Sequence, residues 1–259
     1  MNMKIHFHKY QATGNDFVLL DNRDLGLSFS AEKIKQICDR KFGVGADGLI
    51  LIQSHQDSDF TMIYYNPDGS QSLCGNGCRS AVQFANSLGL VNGKAKFEAF
   101  DGAHDAAVLS TGNIKLQMNS VSGIKEIGED LFINTGSPHY IQFVEDLEKF
   151  PVDEQGRKIR YSAPFEPAGT NVNFAEILAN NTVFVRTYER GVENETLSCG
   201  TGVTAVALAA SRKGLTSPIA IKTLGGDLSV EFECSQPDMF TKIHLIGPAK
   251  MVFEGDLEL

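Results

Sequence analysis

Two stretches of this sequence are versions of one another: CGNGCRSAVQFANSLGL, from Cys74 to Leu90, and CGTGVTAVALAASRKGL, from Cys199 to Leu215. Aligned on their cysteines, they share the first glycine, the glycine at the fourth place, Ala85 with Ala210, and the closing Gly-Leu, at an offset of 125 residues. Such self-similarity at a long period is the mark of a duplicated unit. Each stretch follows a strand-like run and a turn. DFTMIYYN and PDGS precede the first; TVFVRTYE and RGVENE precede the second. The β-branched and aromatic residues of those runs favour strands, and the Pro, Asp, Gly and Asn that follow favour turns. Each stretch is therefore expected to be a helix that starts at its cysteine and ends at its glycine, Gly89 or Gly214, in the position that tolerates a left-handed backbone. VTAVALAA is apolar on every side, so the second helix must be enclosed by protein, most simply by a curved sheet.

Two weaker echoes run in the same order. TGNDFVLLD from Thr13 matches TGSPHYIQFVED from Thr135, and GADGLILI from Gly45 matches GTNVNFAEI from Gly169, so that the three offsets span 122 to 125 residues. Segments such as AVLSTGNIKLQMN and LSVEFECS alternate in the manner of half-buried antiparallel strands. The expected architecture is α+β: two similar domains, each a barrel-like and mostly antiparallel sheet around a central helix, related by pseudo-twofold symmetry. Residues 1–120 are expected to form the half with Cys74, and residues 121–248 the half with Cys199.

Composition narrows the function. The formal net charge is −9 and the basic residues are scattered, which argues against a nucleic-acid partner because phosphate binding needs a cationic footprint. No apolar run approaches the ~20 residues of a membrane span, and MNMKIHFHKY lacks the apolar core of a signal peptide. A cytoplasmic protein is expected. Five cysteines, Cys38, Cys74, Cys78, Cys199 and Cys234, are an odd number and point to thiols rather than to a disulfide framework. Cys74 and Cys78 lack a second ligand pair, so no metal is expected there.

A Cys-Gly-x-Gly at a strand-to-helix turn sets the sulfur beside unpaired backbone N–H groups and the positive end of the helix dipole. That environment stabilises a thiolate. The glycines let a ligand approach the backbone, and the same N–H groups suit a carboxylate. Doubling the motif is what inversion of a carbon centre needs: one group removes a proton from one face and the other returns one to the opposite face. Cys74 and Cys199 are thus the candidate acid/base pair, while Cys38, Cys78 and Cys234 have no counterpart in the other half and read as packing residues.

KYQATGNDFVLLDN, FGVGADGLILI, YYNPDGSQSLCGNGCRSA, NTGSPHY, TNVNF, YERGVENETLSCGTG and a final GPAKMVFEG cover nearly the whole chain, and in this order they resemble the diaminopimelate epimerase family. The resemblance implies cofactor-independent interconversion of LL- and meso-diaminopimelate, feeding lysine and peptidoglycan synthesis, by a homodimer whose chain has the site between its two domains and returns residues 249–259 to the half with Cys74. It implies that Cys74 and Cys199 are the acid and base. Asn15, Asn66, Asn171, Glu189 and Arg190 are implied to contact the substrate, with Gly75, Asn76, Gly200 and Thr201 against the reacting carboxylate. Arg190 suits a distal carboxylate, bound through two parallel hydrogen bonds, and the Asn and Glu side chains suit an ammonium. His139 matches a family histidine near the site. Ser137 is its neighbour in Gly136-Ser137-Pro138-His139, where the family usually has Asn in place of the serine. Thr201 keeps a hydroxyl where serine is frequent, and Gly48 has no side chain where some members carry Gln. Asp16, Asp47 and Asp68, beside glycines, are expected to shape turns.

Other functions fit parts of this pattern. A two-thiol racemase of proline, hydroxyproline or histidine would keep the cysteines but not need Glu189 and Arg190. Phenazine-type isomerases share the duplicated fold without the cysteine pair. A thiol redox protein would use reactive cysteines, yet neither lies in a CxxC. A binding protein without activity would need no thiolate.

Overall fold

The computed structural model describes residues 4–258, and they divide into two compact units. The first runs to Leu116 and resumes at Gly247; the second is Gln117–Ile246. In the first, β1 (Lys4–Ala12) and β2 (Asn15–Asp21) form a hairpin, and α1 (Ala31–Cys38) leads to β3 (Gly48–Gln53) and β4 (Phe60–Tyr65). Then α2 (Gly75–Ser87) leads to β5 (Lys94–Ala99), β6 (Gly102–Val108) and β7 (Ile114–Gln117). The second unit opens with β8 (Val121–Ser122), β9 (Lys125–Ile127), β10 (Asp130–Asn134) and β11 (Pro138–Phe143). It continues through α3 (Val152–Arg160), β12 (Asn171–Leu178), β13 (Thr182–Glu189) and β14 (Asn194–Thr196) to α4 (Gly200–Ser211). Strands β15 (Ile219–Thr223), β16 (Gly226–Gln236) and β17 (Met239–Gly247) complete it. The last strand, β18 (Lys250–Glu258), pairs antiparallel with β1.

The units share one pattern of strand pairing. Pairings β1–β2, β3–β4 and β5–β6 are antiparallel, whereas β2–β3 and β4–β5 are parallel. In the second unit β10–β11, β12–β13 and β15–β16 are antiparallel, whereas β11–β12 and β13–β15 are parallel. Parallel neighbours require a crossover. In each unit one crossover carries the outer helix, α1 or α3, and the other carries the central helix, α2 or α4.

Burial shows why the helices sit where they do. Phe17, Val18, Leu19 and Leu20 of β2 are all fully buried, as in a strand covered on both faces. One face meets α1, where Ile34 and Ile37 join Ile5, Phe7, Val18, Leu20 and Leu49. In the second unit the α3 side carries Val152 against Tyr140, Val172, Phe174 and Tyr188. The central helices are enclosed. α2 packs on β1, β2, β3, β4, β6 and β18, and α4 packs on β10, β11, β12, β13, β15 and β16. Every residue from Gly202 to Ala210 is buried, as an all-apolar helix requires. The chain therefore has the expected α+β fold of two similar sheet-dominated domains. Gly89 and Gly214 have φ of 71° and 91°, the left-handed backbone expected where the helices end. No helix among the described residues is long and apolar enough to cross a membrane.

Gly48 has a structural reason to lack a side chain. A Cβ there would lie 2.3 Å from the Tyr64 ring and 2.8 Å from the Tyr65 carbonyl oxygen. The ring occupies the space, and the backbone oxygen cannot swing aside. Gly48→Ala is expected to destabilise the protein by about 1–3 kcal/mol in urea unfolding, as overpacking does; unchanged stability would contradict this packing.

Candidate active-site residues

In the first unit the chain enters α2 through Cys74, whose extended backbone makes it the N-cap. Its sulfur accepts the Gly77 N–H at 3.4 Å and lies 3.6 Å from Asn15 Oδ1. Asn15 starts β2 after the two-residue turn Thr13-Gly14, where both residues have positive φ, as a tight hairpin of this hand demands. Thr13 bears that conformation without being glycine, and it is buried. The Asn15 amide is oriented because its Nδ2 donates to the Asp47 carboxylate at 2.7 Å. Its Oδ1 therefore faces Cys74 and accepts from Asn76 Nδ2 at 3.3 Å.

Beneath these groups lies Arg79, fully buried and without a carboxylate partner among the described residues. Its guanidinium donates to Asn76 Oδ1 at 2.9 Å, to Thr13 Oγ1 at 3.3 Å and to the Gly75 carbonyl at 3.4 Å, and its Nε has no hydrogen-bond partner. Burial pulls its pKa down to about 10, and the neighbouring thiols of Cys74 and Cys78 act in the opposite direction. An unpaired buried charge costs several kcal/mol. Cys78 cannot supply the compensating anion easily, since its own complete burial pushes its pKa far above the usual thiol range.

Asp16 and Asp47 do more than shape turns. Asp16 bonds Lys9 at 2.7 Å and Arg40 at 2.6 Å, and Arg40 also reaches Asp47 at 2.7 Å. Burial opposes ionisation of Asp16, but the hydrogen bonds from Arg40 and Lys9 outweigh it and hold the carboxyl down at about 2. This network anchors Asp47, and through it Asn15. Asp68 does shape its turn, accepting from the Ser70 N–H and hydroxyl. Asn66 is oriented by the same loop, where its Nδ2 donates to Ser70 Oγ at 3.0 Å and Ser72 Oγ at 3.1 Å, while its Oδ1 has only a long contact of 3.5 Å with Ser72 Oγ among the described residues.

In the second unit Cys199 is the N-cap of α4 and is buried. Its sulfur lies 3.6 Å from Thr201 Oγ1, which lies 2.9 Å from His139 Nε2. The tautomer of His139 follows from its neighbours. Asn173 Oδ1 accepts from Thr187 Oγ1 at 3.0 Å, so its Nδ2 is the atom that donates to the Tyr140 carbonyl at 3.0 Å and to His139 Nδ1 at 3.1 Å. Nδ1 being the acceptor, Nε2 carries the proton and donates to Thr201, whose own hydroxyl is then available to point at Cys199. His139 is completely buried, and that burial, with the charge of Arg190, lowers its pKa to about 3. It is a neutral, fixed imidazole. Thr204 occupies the place that Arg79 holds in the first unit, and its hydroxyl bonds the Gly200 carbonyl at 2.9 Å. Gly202 is a close-approach glycine, since a Cβ there would lie 2.4 Å from Asn173 Oδ1.

Asn171 is buried and fully engaged with the protein. Its Nδ2 donates to Ser137 Oγ at 2.8 Å and to the Pro138 carbonyl at 3.0 Å, and its Oδ1 accepts the Arg190 N–H at 2.9 Å. The Ser137 hydroxyl thus meets the side chain of Asn171. Glu189 accepts from Thr196 Oγ1 at 2.9 Å, and the Arg190 guanidinium makes a long contact of 3.4 Å with the Ala168 carbonyl. Within the first unit the fold gathers Asn15, Cys74, Gly75 and Asn76, with Asn66 at the preceding loop. Within the second it gathers His139, Cys199, Gly200 and Thr201, and separately Ser137, Asn171 and Arg190. Arg79, Asn173, Asp16 and Asp47 are partners that sequence reading missed. Arg79 had one signal: a charged residue five places after a cysteine, inside a helix whose twin carries a threonine.

The Diaminopimelate epimerase family model matches residues 7–124 and 131–252. A diaminopimelate epimerase of Flavobacterium psychrophilum is 47% identical over 251 residues, covering 95% of this chain and 98% of that protein. One of Aquifex aeolicus is 42% identical over 278 residues, covering 98% of each. Among solved structures, a phenazine biosynthesis protein of the PhzF family from Bacillus anthracis aligns over 99% of this chain and 100% of its own, with a TM-score of 0.80 and 16% identity. A hydroxyproline epimerase from Agrobacterium vitis, solved with bound trans-4-hydroxy-L-proline, aligns over 99% of this chain and 93% of its own, with a TM-score of 0.69 and 13% identity. At such identities these two likenesses establish the shared fold alone.

The imidazole of His139 is expected to stay neutral, with its proton on Nε2, from pH 5 to 8. Nitrogen chemical shifts of the labelled ring check this, and titration near its ordinary value of 6.5 would contradict the burial and hydrogen bonding described.

Proposed function

The chain belongs to the diaminopimelate epimerase family, and we propose that it interconverts LL- and meso-2,6-diaminopimelate by two-cysteine acid/base catalysis without a cofactor, as a step toward lysine and peptidoglycan precursors. The observation that carries this reading is the repetition of one arrangement in both units: a cysteine as N-cap of an enclosed central helix, followed by Gly-x-Gly. A cytoplasmic homodimer belongs to the same reading and rests on the family resemblance.

The chemistry follows from the groups present. A thiolate takes the α-proton, and the electron pair of the broken C–H bond passes into the adjacent carboxylate. The second thiol then gives its proton to the opposite face, leaving an inverted centre and a thiol–thiolate pair of exchanged roles. In this reading the reacting carboxylate takes up that charge against the first-turn N–H groups behind a cysteine, at Gly75 and Asn76 or at their counterparts Gly200 and Thr201, where helix dipoles favour an anion. The two thiols are supported differently. Arg79 places a buried positive charge under Cys74, whereas neutral His139 orients Thr201 beside Cys199. The buried charge of Arg79 favours an anion at Cys74, and no such charge stands beside Thr201 at Cys199 among the described contacts. Arg190 takes the distal carboxylate, Glu189 and Asn66 face the distal ammonium, Asn15 lies at the reacting end, and Asn171 contributes by holding the backbone of Arg190. A proline-type substrate would leave Arg190 without a partner, which favours diaminopimelate over the ring substrates.

Incubation of the reduced protein with LL-diaminopimelate, with no cofactor added, is expected to yield the meso form, and Cys74→Ala and Cys199→Ala should each abolish conversion by several orders of magnitude. No conversion by a folded, reduced protein would end this reading. Arg79→Met should slow iodoacetamide labelling of Cys74 at pH 7 roughly tenfold without changing that of Cys199. Arg79→Lys, which keeps the charge, should restore much of the rate. Equal labelling in all three proteins would contradict the role assigned to Arg79.

A further inference from the structure

A second cluster of chemically capable side chains lies where the first and last strands of the first unit meet. His6 and His8 stand two apart on β1, and alternate residues of a strand project from the same face. In the antiparallel pairing of β1 with β18, His8 is directly opposite Glu254 and His6 directly opposite Asp256. The backbone register alone thus brings two imidazoles and two carboxylates onto one face, at the spacing of cross-strand neighbours.

The side chains converge further. Glu254 Oε2 lies 3.5 Å from His8 Nε2 and 3.8 Å from His6 Nε2, and one ligand atom from each of the three residues lies within 4.8 Å of the others. Donors bound at ~2.1 Å around a tetrahedral zinc stand roughly 3.4 Å apart, so small side-chain rotations close the gap. Asp256 completes the arrangement in the manner of an outer-shell carboxylate. It lies 3.0 Å from His6 Nδ1, which places that proton on Nδ1 and leaves Nε2 with its lone pair toward Glu254, and it is itself held by Lys4 at 2.9 Å. The ring of His8 is seated by packing, 4.7 Å from the ring of Phe84 on α2 and 4.9 Å from that of His6. Among the described residues this is the group of His, Cys, Asp and Glu close enough to hold a metal, and it includes none of the cysteines.

We propose that His6, His8 and Glu254 form a binding site for a divalent transition metal of the zinc class, with Asp256 orienting His6. Two imidazoles and a carboxylate are a ligand set suited to such ions, and solvent supplies the fourth position. The metal joins β1 to β18 by a bond between side chains, so it fastens the returning end of the chain to the sheet that encloses α2. It stands apart from the acid/base thiols and does not depend on the activity proposed for them.

Zinc titration of the reduced full-length chain, followed by calorimetry and by the imidazole NMR signals, tests the site. One zinc per chain with dissociation at roughly micromolar concentration or tighter is expected, with the signals of His6 and His8 shifting, and saturating zinc should raise the melting temperature. His8→Ala should weaken that binding at least tenfold and remove the thermal shift, and Glu254→Gln, nearly isosteric and chosen to preserve the strand pairing, should weaken it similarly. His55→Ala, outside the cluster, should leave it intact. Zinc held equally well by His8→Ala and Glu254→Gln would assign it to the thiols and overturn the proposal, as would an absence of binding by the parent protein.

Discussion

A helix sealed inside a sheet cannot turn its first N–H groups toward bulk water, and that constraint shapes both halves of this protein. Cys74 and Cys199 stand where those groups point, and the glycines behind them carry no side chain that would block the backbone. At Gly77 the N–H is satisfied by the cysteine sulfur itself. At Gly202 any side chain would collide with Asn173, the residue that sets the tautomer of His139. The enclosure that makes the helices central is thus also what concentrates positive potential at their starts, where a thiolate or a carboxylate is stabilised.

Duplication did not leave the two ends equivalent. At corresponding places the first helix carries Arg79 and the second Thr204, one a buried cation and the other a neutral hydroxyl closing on its own first turn. A buried guanidinium with no carboxylate beside it is costly unless an anion forms nearby. In the proposed mechanism the thiol of Cys74 becomes that anion. In the second unit the polar chain from Thr187 through Asn173 and His139 to Thr201 is neutral throughout, and the proposed mechanism gives Cys199 beside it the role of proton donor.

Much of this organisation could be read from the residues because it rests on local pattern. The cysteine starts, the glycine ends and the all-apolar VTAVALAA announce two enclosed helices, and the echoes at Thr13 and Thr135 fall on β2 and β11, which have the same parallel partner in each unit. What escaped reading depends on pairs far apart in the chain. Asp47 meets Asn15 across 32 positions, Thr201 meets His139 across 62, and Glu254 faces His8 across the closing of the sheet by its last strand. Asn171 and Asn173 illustrate the limit. Both lie in TNVNF on one strand, two apart, yet one braces Arg190 and the other braces His139. Residue type and spacing do not separate those roles; strand register does.

The central claim is that two different groups serve the two faces of one carbon. Following the reaction in deuterium oxide at early times, with separate measurement of deuterium in product and in recovered substrate, tests it most directly. Two bases predict that meso product carries a solvent deuteron at the inverted centre while unreacted LL substrate remains protonated. Deuterium entering recovered substrate as fast as product would mean that a single group works on both faces, and the two-cysteine mechanism would fail.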